Sequence, residues 1–227
     1  EREVDHRSAE AGCAQKSSPT RGKAHRVHLP AYIVDRNIIA VVLAAGRSAR
    51  LGRPKALADC GGEPLVKVQL RRLNSLGIDC VLVTRAELVA DASAAVEGYS
   101  CTVIAPNDQS NRTGNLKAGL DAAGAVEAVL VVPVDRPGWS LDTVRRLLRS
   151  DVTCCPQKDE RGGHPLLIRG ADIGRLRAAA DDEPLNHLFT TERIEVDDPF
   201  LHLNIDTEDD LEQLNAIAEW LEYSESG

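Results

Sequence analysis

With 227 residues and 43% hydrophobic content, the chain can bury one sizeable core, and one folded domain is the default expectation. Asp and Glu (35) outnumber Lys and Arg (27), and the net charge of −8 argues against a general nucleic-acid binder, which needs a broad basic surface. Six cysteines without a CxxC make neither a zinc framework nor an evident disulfide pattern and suit a reducing cytosol; no apolar stretch reaches the roughly 20 residues of a membrane helix, and no signal peptide is visible.

Residues 1–37 are polar, contain SSPTRGKAHRVH and show no helical or strand period. They are predicted to be a disordered or loosely attached leader, with the folded domain spanning 38–227. The run Ile38–Leu43 is too short to cross a membrane and too continuous for a half-exposed strand, so it fits a strand buried on both faces. Ala44, Ala45 and Gly46 follow at its carboxyl end, where open α/β sheets bind ligands and small residues let a ligand approach the main chain. Next come Arg47, Arg50, Arg53 and Lys55, with no carboxylate between Asp35 and Asp59. Arg offers phosphate a planar fork and Lys a point charge, so the mixture fits a triphosphate held from several sides. A solvated basic loop is the plain alternative. Gly46 and Gly52 have five residues between them and are followed by Arg53 and Pro54, so this is no P-loop, and GxGxxG is absent.

Downstream, strand-like and helix-like segments alternate, the pattern of a largely parallel sheet covered by helices on both faces. Helices are predicted over 64–76, 88–96, 116–123 and 141–148, the last capped by Ser140, with Pro64 in a first turn. Strands are predicted over 80–84, 101–105 and 128–133. Polar and glycine residues across 157–163 suggest a turn before a short strand at 166–168, where the sheet becomes mixed. The final helix starts at Glu208, with Thr207 and Asp210 giving a cap-like entry. Trp139 and Trp220 are packing residues.

The stretch LAAGRSARLGRPKAL resembles LAAGxSxRMGxPKxL, the signature of the molybdenum-cofactor nucleotidyltransferases in the MobA-like NTP transferase family, with Leu51 where Met is usual. GGEPLV at 61–66, VVPVDRP at 131–137, GGHPLLI at 162–168 and LNIDTEDDL at 203–211 are similar to later family segments in the family's order. The resemblance covers roughly 38–221. It implies an α/β, three-layer Rossmann-like nucleotidyltransferase fold with a mostly parallel, partly mixed sheet.

Asp135 follows an apolar strand and precedes Pro137, so it sits at the same sheet edge as the cationic loop. A hard dication such as Mg2+ takes carboxylate oxygens together with phosphate oxygens and water, making Asp135 one candidate ligand. Asp206 is the second: the resemblance puts it near the same metal, and a helix-start acid is its structural alternative. Lys55 and Arg50 would stabilise charge at the α-phosphate and on pyrophosphate. The nucleotide-binding candidates are Leu43, Ala44, Ala45, Gly46, Arg47, Ser48, Gly114 and Asn115. Gly114 and Asn115 lie in SNRTGNLKAGL, where the family has GMxxSLRAGL; Arg112, Thr113 and Asn115 depart from it, and Asn115 as a helix cap is the alternative. His164, held between two glycines and a proline, and Asn204 are the acceptor-binding candidates, a structural turn being the alternative for His164.

Resemblance also gives the chemistry. LAAG followed by PK is the form of the CTP-using branch, and a side chain at position 45 narrows the space for a base. The implied reaction moves CMP from CTP to a phosphorylated small molecule, molybdopterin in the nearest branch, with Mg2+ and release of pyrophosphate, in the cytoplasm and without nucleic acid or membrane as partner. A sugar-phosphate or similar acceptor, and a nucleotide-binding regulator without turnover, are the alternatives.

Overall fold

The computed structural model describes residues 37–46, 48, 50–107 and 111–223, so the leader, Asn37 apart, lies outside the described residues. The elements are β1 (Ile38–Leu43), β2 (Asp59–Cys60), β3 (Glu63–Pro64), α1 (Leu65–Ser75), β4 (Asp79–Val83), α2 (Val89–Ala95), β5 (Cys101–Ile104), α3 (Arg112–Ala123), β6 (Ala128–Pro133), α4 (Leu141–Leu148), β7 (Cys154–Lys158), β8 (Arg161–Gly162), β9 (Leu166–Arg169), α5 (Ala171–Ala178), α6 (Leu185–Leu188), β10 (Glu192–Glu195) and α7 (Glu208–Tyr223). β2 and β3 form a separate hairpin, and the main sheet runs β5-β4-β1-β6-β9-β7-β10 with β8 paired to β7.

β1 is parallel to both β4 and β6. β9 runs antiparallel between β6 and β7, so the sheet is mixed at the expected point. Strand alternation splits the core into two layers. Ala40 and Val42 face Leu70, Leu73, Val144 and Leu214 on one side, while Val41 faces the side holding Leu116, Leu120 and Leu176. Helices therefore cover both faces, giving the three-layer arrangement. Each fully buried Leu or Val contributes about 1.5–3 kcal/mol. Among the described residues, no helix is long and apolar enough to cross a membrane.

Several boundaries differ from the sequence expectation. The predicted turn at 157–163 is the β7–β8 hairpin, whose tip residues Asp159 and Glu160 take φ of 50° and 61°. β10 went unseen because an exposed edge strand written ERIE has no apolar alternation. α3 begins at Arg112, four residues early, with Asn111 rather than Asn115 at its N-cap. Ser140 does cap α4, accepting the Thr143 N–H at 3.1 Å. At the α7 entry, Thr207 Oγ1 and Asp210 exchange hydrogen bonds as the capping pair.

From β1 the chain goes to β4 on one side and later crosses to β6 on the other, so a crevice opens at the strands' carboxyl ends. The segment leaving β6 is held firmly. Val134 N–H donates to Leu43 C=O at 3.0 Å, and Gln69 Nε2, buried on α1, donates to Val134 C=O at 2.9 Å. Arg72, also fully buried, donates to the carbonyls of Pro137 and Trp139, with its guanidinium 4.0 Å from the Trp139 ring centre. Gly138 has no room for a side chain: a Cβ there would lie 1.8 Å from Phe200 O. The chain around Phe200 thus passes directly over this loop, and Ile205 N–H donates to Asp135 C=O at 2.9 Å.

Replacing Arg72 by Met should leave two buried carbonyls short of donors and cost about 1–3 kcal/mol. Urea denaturation measures this, and an unchanged midpoint would show that the loop does not depend on α1.

Candidate active site

Lys55 opens a short 3-10 turn, and its ammonium reaches Asp206 Oδ1 at 2.6 Å and Asp135 Oδ2 at 3.1 Å. Arg50 Nη2 reaches the other oxygen of Asp206 at 3.1 Å. Lys55 is only 13% exposed and the two carboxylates about a quarter, whereas Arg50 is 72% exposed. Burial of the Lys55 pairs strengthens their coupling; the Arg50 pair is largely in solvent and adds little. The Asp206 carboxyl is held below the usual carboxylate range, first by the hydrogen bond from Lys55, with the charges of Lys55 and Arg50 and a hydrogen bond from Asn204 adding to it.

The loop before Lys55 winds around Ser48. Its C=O accepts from the N–H groups of Leu51 and Gly52 at 3.1 Å, and its Oγ accepts from Lys55 N–H at 3.2 Å. Ser48 takes φ of 49°, a left-handed conformation uncommon outside glycine. Arg53 turns away to Glu208 at 2.7 Å. Arg47 lies outside the described residues.

Among the described residues, three cavities bear on this edge of the sheet. The smallest, about 290 Å³, is walled by Leu43, Ala44, Gly46, Ser48, Arg50, Lys55, Asp135 and Asp206. A second, about 750 Å³, shares Leu43, Gly46 and Asp135 with it and extends to Ala45, Thr84, Arg85, Arg112 and Asn115. A third, about 910 Å³, lies over β7 to β9 and holds Arg112, Cys155, His164, Phe189 and Arg193. Ala44 commits its N–H to Val83 C=O at 2.8 Å, so its amide is not on offer. A Cβ on Gly46 meets no atom within 4 Å, because that position faces the open cleft.

The structure corrects two expectations. Gly114 is buried and donates its N–H to Asp181 C=O at 3.0 Å, so its amide cannot serve a nucleobase. Asn115 lies inside α3, donates its N–H to Asn111 C=O and still borders the second cavity. Asn204 lines none of the three cavities; its amide donates to Asp206 Oδ2, which makes it a positioning group for that carboxylate. His164 does face the third cavity. Burial is the main cause that lowers its pKa to about 4, with Arg112 and Arg136 repelling the proton and Asp135 opposing them, so the imidazole is neutral near pH 7.

Sequence reasoning missed Thr84 and Arg85 at the end of β4, and Arg112. The rule that ligands bind beyond strand ends applies to β4 as it does to β1 and would have found the first two. Arg85 pairs with Glu87 at 2.9 Å, both on the second cavity's wall.

The sequence model of the MobA-like NTP transferase domain matches residues 40–196. The chain is 36% identical to 2-C-methyl-D-erythritol 4-phosphate cytidylyltransferase of Rhodococcus opacus over 97 residues, 41% of this chain but only 42% of that relative. It is 38% identical to nicotine blue oxidoreductase of Paenarthrobacter nicotinovorans over 158 residues, 63% of this chain and 74% of the other. A probable molybdenum cofactor guanylyltransferase of Opitutus terrae is 31% identical over 154 residues, 67% and 69% of the two chains. A solved nucleotidyl transferase from Methanothermobacter, 22% identical, has the same fold with a TM-score of 0.68, covering 82% of this chain and 99% of the other.

Because folded His164 binds its proton less readily than the unfolded residue, stability is full above pH 6.5 and falls as pH drops toward 4. The loss should approach about 2–3 kcal/mol. Urea titrations at pH 7 and pH 4.5 should show this drop in the wild type and a smaller one in His164→Gln; equal drops would remove His164 from the effect.

Proposed function

Because this chain belongs to the MobA-like NTP transferase family, we propose that it moves a nucleoside monophosphate from an NTP onto a phosphorylated small molecule and releases pyrophosphate. The observation that carries the proposal is the Lys55 ammonium bonded to both Asp135 and Asp206 on the wall of the smallest cavity. A cation and two carboxylates at one point match a triphosphate accompanied by a dication.

The residues present fit Mg2+. Two hard carboxylate donors converge on one point, and among the described residues no cluster of three or more His, Cys, Asp and Glu side chains could hold a metal alone. The remaining coordination would then fall to phosphate oxygens and water. When bound between Asp135 and Asp206, Mg2+ supplies neutralisation of the triphosphate charge.

Lys55 would transfer its hydrogen bonds from the carboxylates to phosphate oxygens as the nucleotide enters, and exposed Arg50 would meet the leaving pyrophosphate. An oxygen of the acceptor's phosphate attacks the α-phosphorus, forming a P–O bond as the bond to the β-phosphate oxygen breaks. The electron pair leaves with pyrophosphate. The attacking oxygen is already ionised at neutral pH, so no general base is required. The second cavity would take the ribose and base, with Ala45 and Asn115 on its wall, and the third cavity the rest of the acceptor.

Within this reading the nucleotide is CTP, because Ala45 narrows the wall of the second cavity, and the acceptor is molybdopterin or a related phosphorylated metabolite. The 38% identity with nicotine blue oxidoreductase favours a second reading, in which the same cleft serves an oxidoreductase. The paired carboxylates beside Lys55 support the transferase reading, since such a set suits a metal-bound triphosphate.

Pyrophosphate release assays with each NTP, Mg2+ and candidate acceptors test the proposal; none from any combination would favour the oxidoreductase or a regulator without turnover. Asp135→Asn should lower kcat about 100-fold or more, since metal-linked charge stabilisation amounts to several kcal/mol. Near-normal turnover in that variant would remove Asp135 from the chemistry. Ala45→Gly should shift the ratio of kcat/KM from CTP toward GTP by roughly tenfold, the usual scale for one methyl group in a pocket. An unchanged ratio would refute the steric account.

A further inference from the structure

The second and third cavities share two residues, Asn111 and Arg112. Arg112 is exposed, and among the described residues no carboxylate or carbonyl holds its guanidinium. Among the described residues, the other arginines around the cleft have partners. Arg85 pairs with Glu87, Arg50 with Asp206, and Arg136 donates to His202 C=O at 3.3 Å. Arg193, at the far side of the third cavity, donates to Gln157 Oε1 at 3.1 Å and Glu160 C=O at 2.9 Å. Arg112 thus has donors left over, and they stand at the passage between two cavities.

We propose that Arg112 is the anion anchor of the acceptor site, binding the acceptor's phosphate monoester at the junction where it must meet the nucleotide. The proposal rests on the transferase reading for the identity of its ligand. A group-transfer site needs its two anionic reactants side by side, and two phosphates repel each other unless a cation lies between them. Lys55 and Arg50 line the smallest cavity, and neither borders the third. His164, although it faces the third cavity, stays neutral and brings no charge. At the junction a guanidinium fork supplies both positive charge and a fixed orientation, because it can bind two phosphate oxygens at once. The nucleophilic oxygen would be the one left free, directed toward the α-phosphate, where the smallest and second cavities meet at Asp135.

Phenyl phosphate serves as the probe: calorimetry on the full chain, with and without a non-hydrolysable CTP analogue and Mg2+, measures its Kd. Arg112→Gln should weaken phenyl phosphate binding roughly tenfold to hundredfold, the scale of a lost charge-assisted hydrogen bond. The Kd of the CTP analogue should change less than about threefold, and Arg112→Lys should recover part of the loss. Arg193→Gln should leave phenyl phosphate binding near the wild-type value. The proposal is overturned if the wild type does not bind phenyl phosphate, if Arg112→Gln binds it normally, if Arg193→Gln is the variant that loses it, or if Arg112→Gln weakens the CTP analogue by the same factor. Arg112-dependent phenyl phosphate binding by a chain that binds no NTP would leave the anion site standing and sink the transferase reading.

Discussion

The ammonium of Lys55 between Asp135 and Asp206 is the interaction on which the cleft depends. Three groups from three distant parts of the chain meet at one point, and each is costly to bury alone. Pairing makes that burial tolerable. It also leaves the site balanced rather than satisfied, because under the proposed transfer the two carboxylates and the cation would all be re-partnered to a metal-bound triphosphate. A chain with net charge −8 can bind a polyanion only if its cations are concentrated locally, and the loop from Gly46 to Lys55 concentrates them.

The sheet sets the coarse position of these groups and α1 sets the fine one. β1 and β6 are neighbours in register, Leu43 opposite Pro133, so the residues that follow them leave the sheet together. Gln69 and Arg72 then hold the next turn by its carbonyls, which fixes where Asp135 points without touching its side chain. Gly138 lets the segment around Phe200 cross at a distance no side chain would permit. That crossing brings Asn204 and Asp206 over Asp135. The acidic pair is therefore a product of close backbone packing, and Asn204 completes it by holding Asp206 on its outer oxygen.

Much of this was legible in the sequence. Strands β1 and β6 are continuous apolar runs with abrupt polar ends, and α4 has a strong cap in Ser140, so both boundaries and type could be read. Asp135 and Asp206 stand at such ends, after β6 and before α7, whereas Lys55 is placed by the loop that follows β1 and opens a 3-10 turn. β8 and β10 were not legible because their residues are polar or charged at an exposed margin, and β7 because its buried Cys-Cys-Pro start has no strand alternation and its pairing is long-range. Gly114 was misread for a related reason. α3 starts four residues before its apolar stripe does, and the carbonyl that takes the Gly114 amide comes from Asp181, far along the chain. Arg112 stands out in the sequence only as a departure from the family segment: what distinguishes it is the absence of a partner among the described residues, which only the folded arrangement reveals.

The charges around the cleft also change little near neutral pH. His164 is already neutral and the Asp206 carboxyl is held in its ionised form, while guanidinium groups keep their charge throughout. Burial raises the Cys155 thiol, which faces the third cavity, so it stays protonated there. A reaction that required proton removal at neutral pH would want a group poised to titrate near 7. Phosphate attacking phosphate has no such requirement, since its nucleophile arrives ionised. A cleft of fixed charges suits the proposed chemistry, in which the work would be to hold two anions in line and to keep them from repelling each other, as cations of constant charge do at any pH near neutrality.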